Sequence, residues 1–346
     1  MDFLGIGLNS AYKVNRPLND QERADRLSRS RRISASVRDE LSVIKINSTY
    51  LELIDRWYVG KGWATFFSIM LLPVSVSMMV MLLPGIWEER EHFMAWVAVI
   101  FMTSSGIALT WIGWRNLRVD VLRKSHYPIR LNRKTGKVHA WRPDGTILEA
   151  NWKRLYFCVG ESIVPAFGTT YDVRAHVLDK DRMTVLDTFT LAYCYIGMKS
   201  DVPAVWEYIR RYMEEPDGPE QNWRYSDVCL PVVGRKESFL FGVIYVFAQA
   251  GSWPVLQVIL SPLWSAIAVC RWIAMVTCTV PVWPAEIEAQ YVIEPDDPFQ
   301  RDWRDNIKYN FVEKAWPIIC FFIGLAVLVG GAWFVVDFFL SRRHGL

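Results

Sequence analysis

The stretch Trp63-Ala-Thr-Phe-Phe-Ser-Ile-Met-Leu-Leu-Pro-Val-Ser-Val-Ser-Met-Met-Val-Met-Leu-Leu-Pro-Gly-Ile-Trp87, followed by Glu88-Glu89-Arg90-Glu91-His92 and a second apolar run from Phe93 to Trp114, decides the architecture. Neither apolar run carries a charge, and each has about the 20 residues that an α-helix needs to cross roughly 30 Å of hydrocarbon. A core helix of a soluble domain would be shorter and would show a polar face. Residues 63–114 therefore read as a transmembrane hairpin. Pro73 fits, because a transmembrane helix tolerates proline where neighbouring groups re-satisfy the freed carbonyl.

The flanks of the hairpin set its orientation. The turn holds one strong base, whereas the second run leads into Arg115, Arg118, Arg123, Lys124, Arg130, Arg133, Lys134 and Lys137. The positive-inside rule puts that side, with the N-terminal region 1–58, in the cytoplasm and the acidic turn outside. The expected localisation is a bacterial inner membrane, crossed several times. Trp57, Trp63, Trp87, Trp111 and Trp114 sit near the ends of the spans, where indole prefers the headgroup layer. Arg115 is a candidate interface contact at the same level.

Composition bounds the rest. A chain of 346 residues that is 52% hydrophobic has room for a membrane part and one soluble domain, and a net charge of +3 argues against a large nucleic-acid surface. Cys158, Cys194, Cys229, Cys270, Cys278 and Cys320 form no C-x-x-C pair, so neither a disulfide framework nor a zinc site is expected. Met1 to Leu8 has no basic start and no cleavage pattern, so it is not read as a secretory signal.

Upstream of the hairpin, Asn19-Asp-Gln-Glu22 looks like a capped helix start, and Arg29, Arg31 and Arg32 form a basic cluster beyond it. Their two readings are contact with anionic lipid headgroups and a solvated helix face. Leu41 to Ile54 is rich in β-branched residues and reads as a strand. Downstream, residues 118–215 read as a cytoplasmic α+β domain. Turns at Asn132-Arg-Lys-Thr-Gly136 and Arg142-Pro-Asp-Gly145 separate short strands, and further strands follow at Leu155 to Val159, Tyr171 to Leu178 and Met183 to Leu191. Val202, Val205, Trp206, Ile209 and Met213 then recur at helical spacing until Pro216 stops the pattern. About six antiparallel strands closed by a helix resemble a pleckstrin-homology-like barrel. The strand at 41–54 could join it, which would make the membrane hairpin an insertion between strands.

Residues 239–283 form a second apolar region with Arg271 as its only charge, and Gly251-Ser-Trp-Pro254 breaks it. Two short helices in a hairpin are expected, with Arg271 snorkelling to the interface as a lipid contact; the alternative is one crossing followed by an interfacial helix. Residues 284–314 read as an acidic linker and 315–340 as a final transmembrane helix. Two signals conflict over the tail: Arg342 and Arg343 prefer the cytoplasm, but a complete hairpin at 239–283 would leave them outside.

No catalytic, metal or cofactor-binding residue stands out. His92, His126, His139, His176 and His344 lack ligand spacing, and no nucleophile elbow or phosphate loop occurs in a useful context. Glu294-Pro-Asp296-Asp297-Pro298 lacks the alternating spacing of a calcium loop and reads as a solvated acidic loop. An enzyme with an unrecognised site is the least favoured function class.

Two pairs of stretches carry a family resemblance. The first is Val14-Asn-Arg-Pro-Leu-Asn-Asp-Gln-Glu-Arg-Ala-Asp-Arg-Leu27 with Asn47-Ser-Thr-Tyr-Leu-Glu-Leu-Ile-Asp-Arg56. The second is Pro281-Val-Trp-Pro-Ala-Glu-Ile-Glu288 with Glu294-Pro-Asp-Asp-Pro298. They resemble an uncharacterised family of proteobacterial inner-membrane proteins encoded near type VI secretion effectors, over most of the chain to about residue 300. The resemblance implies an immunity-type or accessory role, with a cognate secreted toxin and membrane lipids as partners, and no catalytic residues. The alternative expectation is a scaffold or channel-like component whose cytoplasmic module binds protein or lipid.

Overall fold

The computed structural model describes residues 12–88, 92–164, 168–194, 198–249, 253–306 and 310–344. The readings of Met1 to Leu8 and of the centre of the acidic turn, 89–91, lie outside the described residues, as does part of the break at 251–254. The chain divides into two compact units. A sheet unit comprises Met1–Gly60, Lys124–Glu237 and Thr279–Tyr309; a helical unit comprises Lys61–Arg123, Ser238–Cys278 and Asn310–Leu346.

The sheet unit starts with β1 (Arg16–Pro17) and α1 (Asp20–Ala24), followed by β2 (Val43–Ile46), β3 (Tyr50–Leu53) and the single turn α2 (Arg56–Val59). The expected single strand at 41–54 is thus a hairpin. Its turn is made by the Asn47 side chain, which accepts from the backbone N–H groups of Thr49 and Tyr50, both at 2.8 Å, as asparagine does when it mimics a backbone turn. After the helical excursion come β4 (Ile129–Asn132), β5 (Lys137–Trp141), β6 (Ile147–Asn151), β7 (Leu155–Val164), β8 (Gly168–Leu178) and β9 (Thr184–Cys194), then α5 (Val202–Glu214) and α6 (Gly218–Tyr225).

Two antiparallel sheets result, in the orders β2-β3-β4-β5-β6 and β1-β9-β8-β7. β3 pairs with β4 from Tyr50↔Asn132 to Leu53↔Ile129, so residues 61–123 are an insertion between neighbouring strands. The turns follow from glycine: Gly136 and Gly145 hold φ of +68° and +88°, which residues with a Cβ seldom adopt.

The core lies between the sheets and α5. Leu51, Leu53, Leu131 and Val138 face Phe157, Val173, Ala175, Phe189 and Leu191, and the helically spaced Val202, Val205, Trp206, Ile209 and Met213 close over them. Trp206 is fully buried, its ring 5.8 Å from that of Trp152 and 4.6 Å from that of Phe157.

Two expectations for this unit are corrected. The helix capped by Asn19 stops at Ala24, so Arg29, Arg31 and Arg32 do not lie on a helix. The next residues bond instead to the edge of β7, with Leu27 N–H donating to the Phe157 carbonyl and Val159 N–H to that of Asp25. The acidic linker is likewise part of the sheet unit as far as Tyr309. The backbones of Ile46 and Arg301 exchange hydrogen bonds at 2.9 and 3.0 Å along β2, and the Asp297 carboxylate accepts from Ser48 N–H and Oγ. Carboxylates that read as solvated are used as acceptors by the sheet. The segment also contains the single turn α10 (Ala285–Glu288).

The helical unit contains α3 (Trp63–Glu88), α4 (Phe93–Asp120), α7 (Phe239–Gln249), α8 (Pro254–Ile259), α9 (Ser261–Thr277) and α11 (Phe311–His344). Three of these, over Trp63–Val80, Phe93–Asp120 and Phe311–Phe334, are long and apolar enough to cross a membrane. The second apolar region consists of shorter pieces, with 11 residues in α7, 6 in α8 and 17 in α9. α3 and α4 lie close because Gly106 and Gly113 face Met79 and Leu72, where an added Cβ would come within 2.7 and 3.0 Å of those side chains.

Candidate functional site

Among the five arginines expected at lipid, Arg115 lies half-buried in the last turns of α4, its guanidinium 5.1 Å from the centre of the Trp111 ring. Arg118 lies 5.9 Å from that of Trp114. Arginine stacked on tryptophan in this way forms an aromatic and basic band at the end of the helix. Arg31 and Arg32 are exposed in the irregular segment after α1; Arg29 is half-buried and donates to the Lys153 carbonyl at 2.9 Å.

Arg271 is not a lipid contact. It is fully buried, its guanidinium 4.7 Å from the centre of the Tyr245 ring and donating to the Lys61 carbonyl at 3.4 Å. Its neighbour Trp272 faces outward instead. Gly62 permits this burial: its φ is +101°, and a Cβ there would come within 2.8 Å of the Arg271 backbone nitrogen. Two further buried charges complete the cluster. The Asp120 carboxylate accepts from the Gly62 and Thr65 N–H groups at 3.0 Å, capping the start of α3, where the helix dipole favours negative charge. Lys61 Nζ donates to the Asp120 carbonyl at 3.3 Å. Buried charge in an apolar helical unit marks a candidate site by default.

The sheet unit builds two more clusters. In the first, three aromatic rings surround Arg130. Its guanidinium lies 5.1, 4.8 and 5.3 Å from the ring centres of Tyr50, Trp283 and Tyr291, and its nitrogens lie 3.1 Å from Glu52 and 2.6 Å from Glu288. Aromatic faces and carboxylates both favour the cation. Glu288 and Tyr291 come from the segment that read as a linker, and Trp283 from the end of the second apolar region, so Arg130 pins the start of that segment to the five-stranded sheet. His139 Nδ1 lies 2.6 Å from the Tyr291 hydroxyl, and burial holds its pKa below the ordinary histidine value.

The second cluster lies on the face of the four-stranded sheet that points away from the core. Asp172, Arg174 and His176 alternate along β8 with Val173 and Ala175, and all are buried. Asp172 meets Arg174 at 3.0 Å and Arg56 at 3.3 Å. Arg56 comes from α2, just before the first excursion. Residues from Tyr12 onward cover this face, with the Tyr12 hydroxyl bonded to Thr190 Oγ1. Glu22 accepts two hydrogen bonds from Arg16, at 2.8 and 2.5 Å, and lies 3.4 Å from His176 Nε2. Burial opposes its charge, but Arg16, His176 and the Asn19 N–H together hold the carboxyl well below its usual range.

Cys158 Sγ lies 3.4 Å from His176 Nε2, the spacing of a thiol beside its base. The thiol is fully buried, and burial pushes its pKa far up. A nucleophilic cysteine needs access and a lowered pKa. This pair has neither, so the arrangement is a packed polar cluster. A pocket lined by residues including Asp55, Tyr127, Trp141 and Thr190 has a volume of about 20 Å³, roughly the space of one water. Among the described residues no group of three His, Cys, Asp or Glu side chains could hold a metal ion.

Glu22, Arg56, Asp120, Arg130 and Asp172 did not stand out in the sequence. Alternation along β8 marks the polar face, but nothing local says that residues more than 140 positions earlier cover it.

Residues 106–295, more than half of the chain, match a family of unknown function, DUF6708. The chain belongs to that family. No curated protein and no solved structure matches. The DUF6708 match runs from the middle of α4 through β4–β9 and α5–α9 to Pro295, so it includes Arg130, Asp172 and Arg271. Their partners Tyr50, Glu52, Arg56 and Lys61 precede it.

Proposed function

We propose that this protein is a non-enzymatic binding protein of a bacterial inner membrane, of the immunity type, which neutralises a type VI secretion toxin at or near the membrane. The observation that carries the membrane-anchored part is the pairing of three helices apolar enough to span with a separate sheet unit whose charged clusters are closed over by the chain's own residues. Such a unit offers its surface rather than a reactive pocket. The toxin part draws on the resemblance of residues 14–27, 47–56, 281–288 and 294–298 to proteins encoded beside such effectors. The sheet unit fits the pleckstrin-homology-like class: a five-stranded meander, a three-stranded meander and a closing helix.

Chain connectivity supports one topology. A compact unit lies on one side of a bilayer, and the sheet unit is left and rejoined twice, over 61–123 and 238–278. Each excursion therefore starts and ends on the same side. The first crosses twice. In the second, the 11 residues of α7 rise only about 16 Å, about half the hydrocarbon thickness, which fits a re-entrant pair better than a full hairpin. α11 then crosses once, leaving Arg342 and Arg343 opposite the sheet unit. The basic residues after α4 favour a cytoplasmic sheet unit. Reporter fusions at residues 180 and 300 should both report the cytoplasm, and one at 346 the outside; a cytoplasmic signal at 346 would overturn the parity argument.

The functional test is expression of the adjacent toxin gene with and without this protein. Equal killing in both strains would reject the immunity reading. The second reading, a scaffold or channel-like component, draws on the apolar side chains that α4 leaves exposed, a face another helix could cover. Co-purification that recovers envelope or secretion-apparatus proteins and no toxin would favour it.

A further inference from the structure

The charged clusters of the sheet unit described above are neutralised internally; a surface beside β7 is not. The chain after α1 runs antiparallel along β7, fixed by the Leu27 and Val159 N–H bonds and by the bridge between Arg26 and Cys158. This register carries Arg26 and Arg29 along β7 toward Lys153 and Arg154, more than 120 positions away in sequence, and Arg29 donates to the Lys153 carbonyl at 2.9 Å; Arg23, Arg31 and Arg32 flank them in the chain. Arg23, Arg26, Arg31, Arg32, Lys153 and Arg154 are exposed.

Three nearby carboxylates are already engaged. Asp25 pairs with Lys199 at 2.6 Å, Glu214 accepts from Trp152 Nε1 at 2.6 Å, and Glu22 is buried against Arg16. Arg29 alone reaches one of them, at 3.6 Å from Glu214. Among the described residues, Arg32 donates to the carbonyls of Ser34 and Ala35 and to no carboxylate. Among the described residues, no carboxylate pairs with Arg23, Arg26, Arg31, Lys153 or Arg154. Like charges gathered this closely repel one another, and a dense anionic surface relieves that repulsion.

We propose that this composite surface binds anionic lipid headgroups. The inference rests on the membrane reading above, since spans that insert keep the sheet unit within reach of a leaflet. Each lysine or arginine brought near an anionic surface strengthens partition by about fivefold. The arginines at 23–32 supply part of the site, and Lys153 and Arg154, which only the fold brings to them, complete it.

The test uses the full chain in nanodiscs of phosphatidylcholine alone or phosphatidylcholine with phosphatidylglycerol, read by amide hydrogen exchange. Exchange over 25–32 and 153–155 should slow in the anionic discs, and the slowing should fade at high salt. Arg31→Glu with Arg32→Glu should abolish it, since losing two arginines at about fivefold each weakens surface association by about 25-fold or more. Unchanged exchange in α5 would show that the variant is folded. Equal exchange in both kinds of disc overturns the proposal, as does slowing that the variant retains. Protection produced only by a soluble polyanion, such as heparin, would assign the surface to a macromolecular partner and also overturn it. A protein that remains monodisperse without detergent or discs overturns this inference and the membrane reading together.

Discussion

The sheet unit and the helical unit handle the same residue types in opposite ways. In the sheet unit, leucine, valine and phenylalanine turn inward, and arginines that are buried, such as Arg130 and Arg174, meet carboxylates. In the helical unit many large apolar side chains turn outward, with Phe93 78%, Phe101 67% and Trp333 71% exposed. Three of its charged residues, Lys61, Asp120 and Arg271, are buried. The hydrophobic effect drives the first arrangement in water. The second suits an apolar surrounding, because the cost of exposing those side chains to water vanishes in lipid. The difference is that one unit hides its apolar side chains, whereas the other displays them on helices long and apolar enough to cross a membrane.

The largest expected effect tests the paired charges of the sheet unit. Asp172→Ala strips both Arg56 and Arg174 of their shared carboxylate, and leaving buried cations unpaired costs about 3–5 kcal/mol. Urea unfolding in detergent, followed by sheet-unit fluorescence, measures it. A loss under about 1 kcal/mol would break the contrast, since it would mean that these arginines are effectively solvated.

Next comes the outer face of the helical unit. Ile100→Lys on α4 replaces an exposed side chain, so a water-facing helix would tolerate it within about 0.5 kcal/mol. A lipid-facing helix should lose about 2.5–3.5 kcal/mol of insertion energy. The fraction resistant to carbonate extraction should fall accordingly, whereas Thr146→Lys in the sheet unit should leave it unchanged.

The Glu22 cluster makes the sheet unit sensitive to acid. Its folded carboxyl sits below the unfolded value, so its contribution is present above the ordinary glutamate range and is lost as pH falls through that range toward the folded value. Glu22→Gln should remove about 1.5–3 kcal/mol at neutral pH, the worth of a charge-assisted hydrogen bond, and flatten the acid limb of the stability profile. An unchanged acid limb in the variant would show that other carboxylates carry it.

The smallest effect has the opposite sign. Burial pushes Asp39 up to about 6. A raised carboxyl favours folding below the unfolded value and loses that contribution as pH rises through about 6. Asp39→Asn should therefore stabilise the protein at neutral pH by about 1 kcal/mol and give no gain near pH ~4. A thermal melt series across that range measures it.

Much of the fold is legible locally. The apolar runs at 63–87 and 93–114, the glycine turns at Gly136 and Gly145, and the spacing of Val202, Trp206 and Ile209 each follow from residues a few positions apart. The errors share one cause. The helix expected to carry Arg29, Arg31 and Arg32 ends early because the edge of β7 offers better backbone partners. The acidic stretch after Pro284 is not a linker because Arg130 and Ser48, far away in sequence, accept it. Arg271 is not an interface anchor because Gly62 leaves room for its backbone and Tyr245 covers its charge.

The sequence alone determined which helices are long and apolar enough to cross a membrane and where short strands alternate, because a run of uncharged side chains or an alternation of polar and apolar ones is a property of neighbours. Only the tertiary structure decided which charges are spent inside the protein and which remain available outside. Asp172 and Arg31 look equally polar in the sequence, yet one is sealed under the N-terminal segment and the other lies open. The physical reason is that burial of a charge depends on what covers it, and here the cover arrives from more than a hundred residues away.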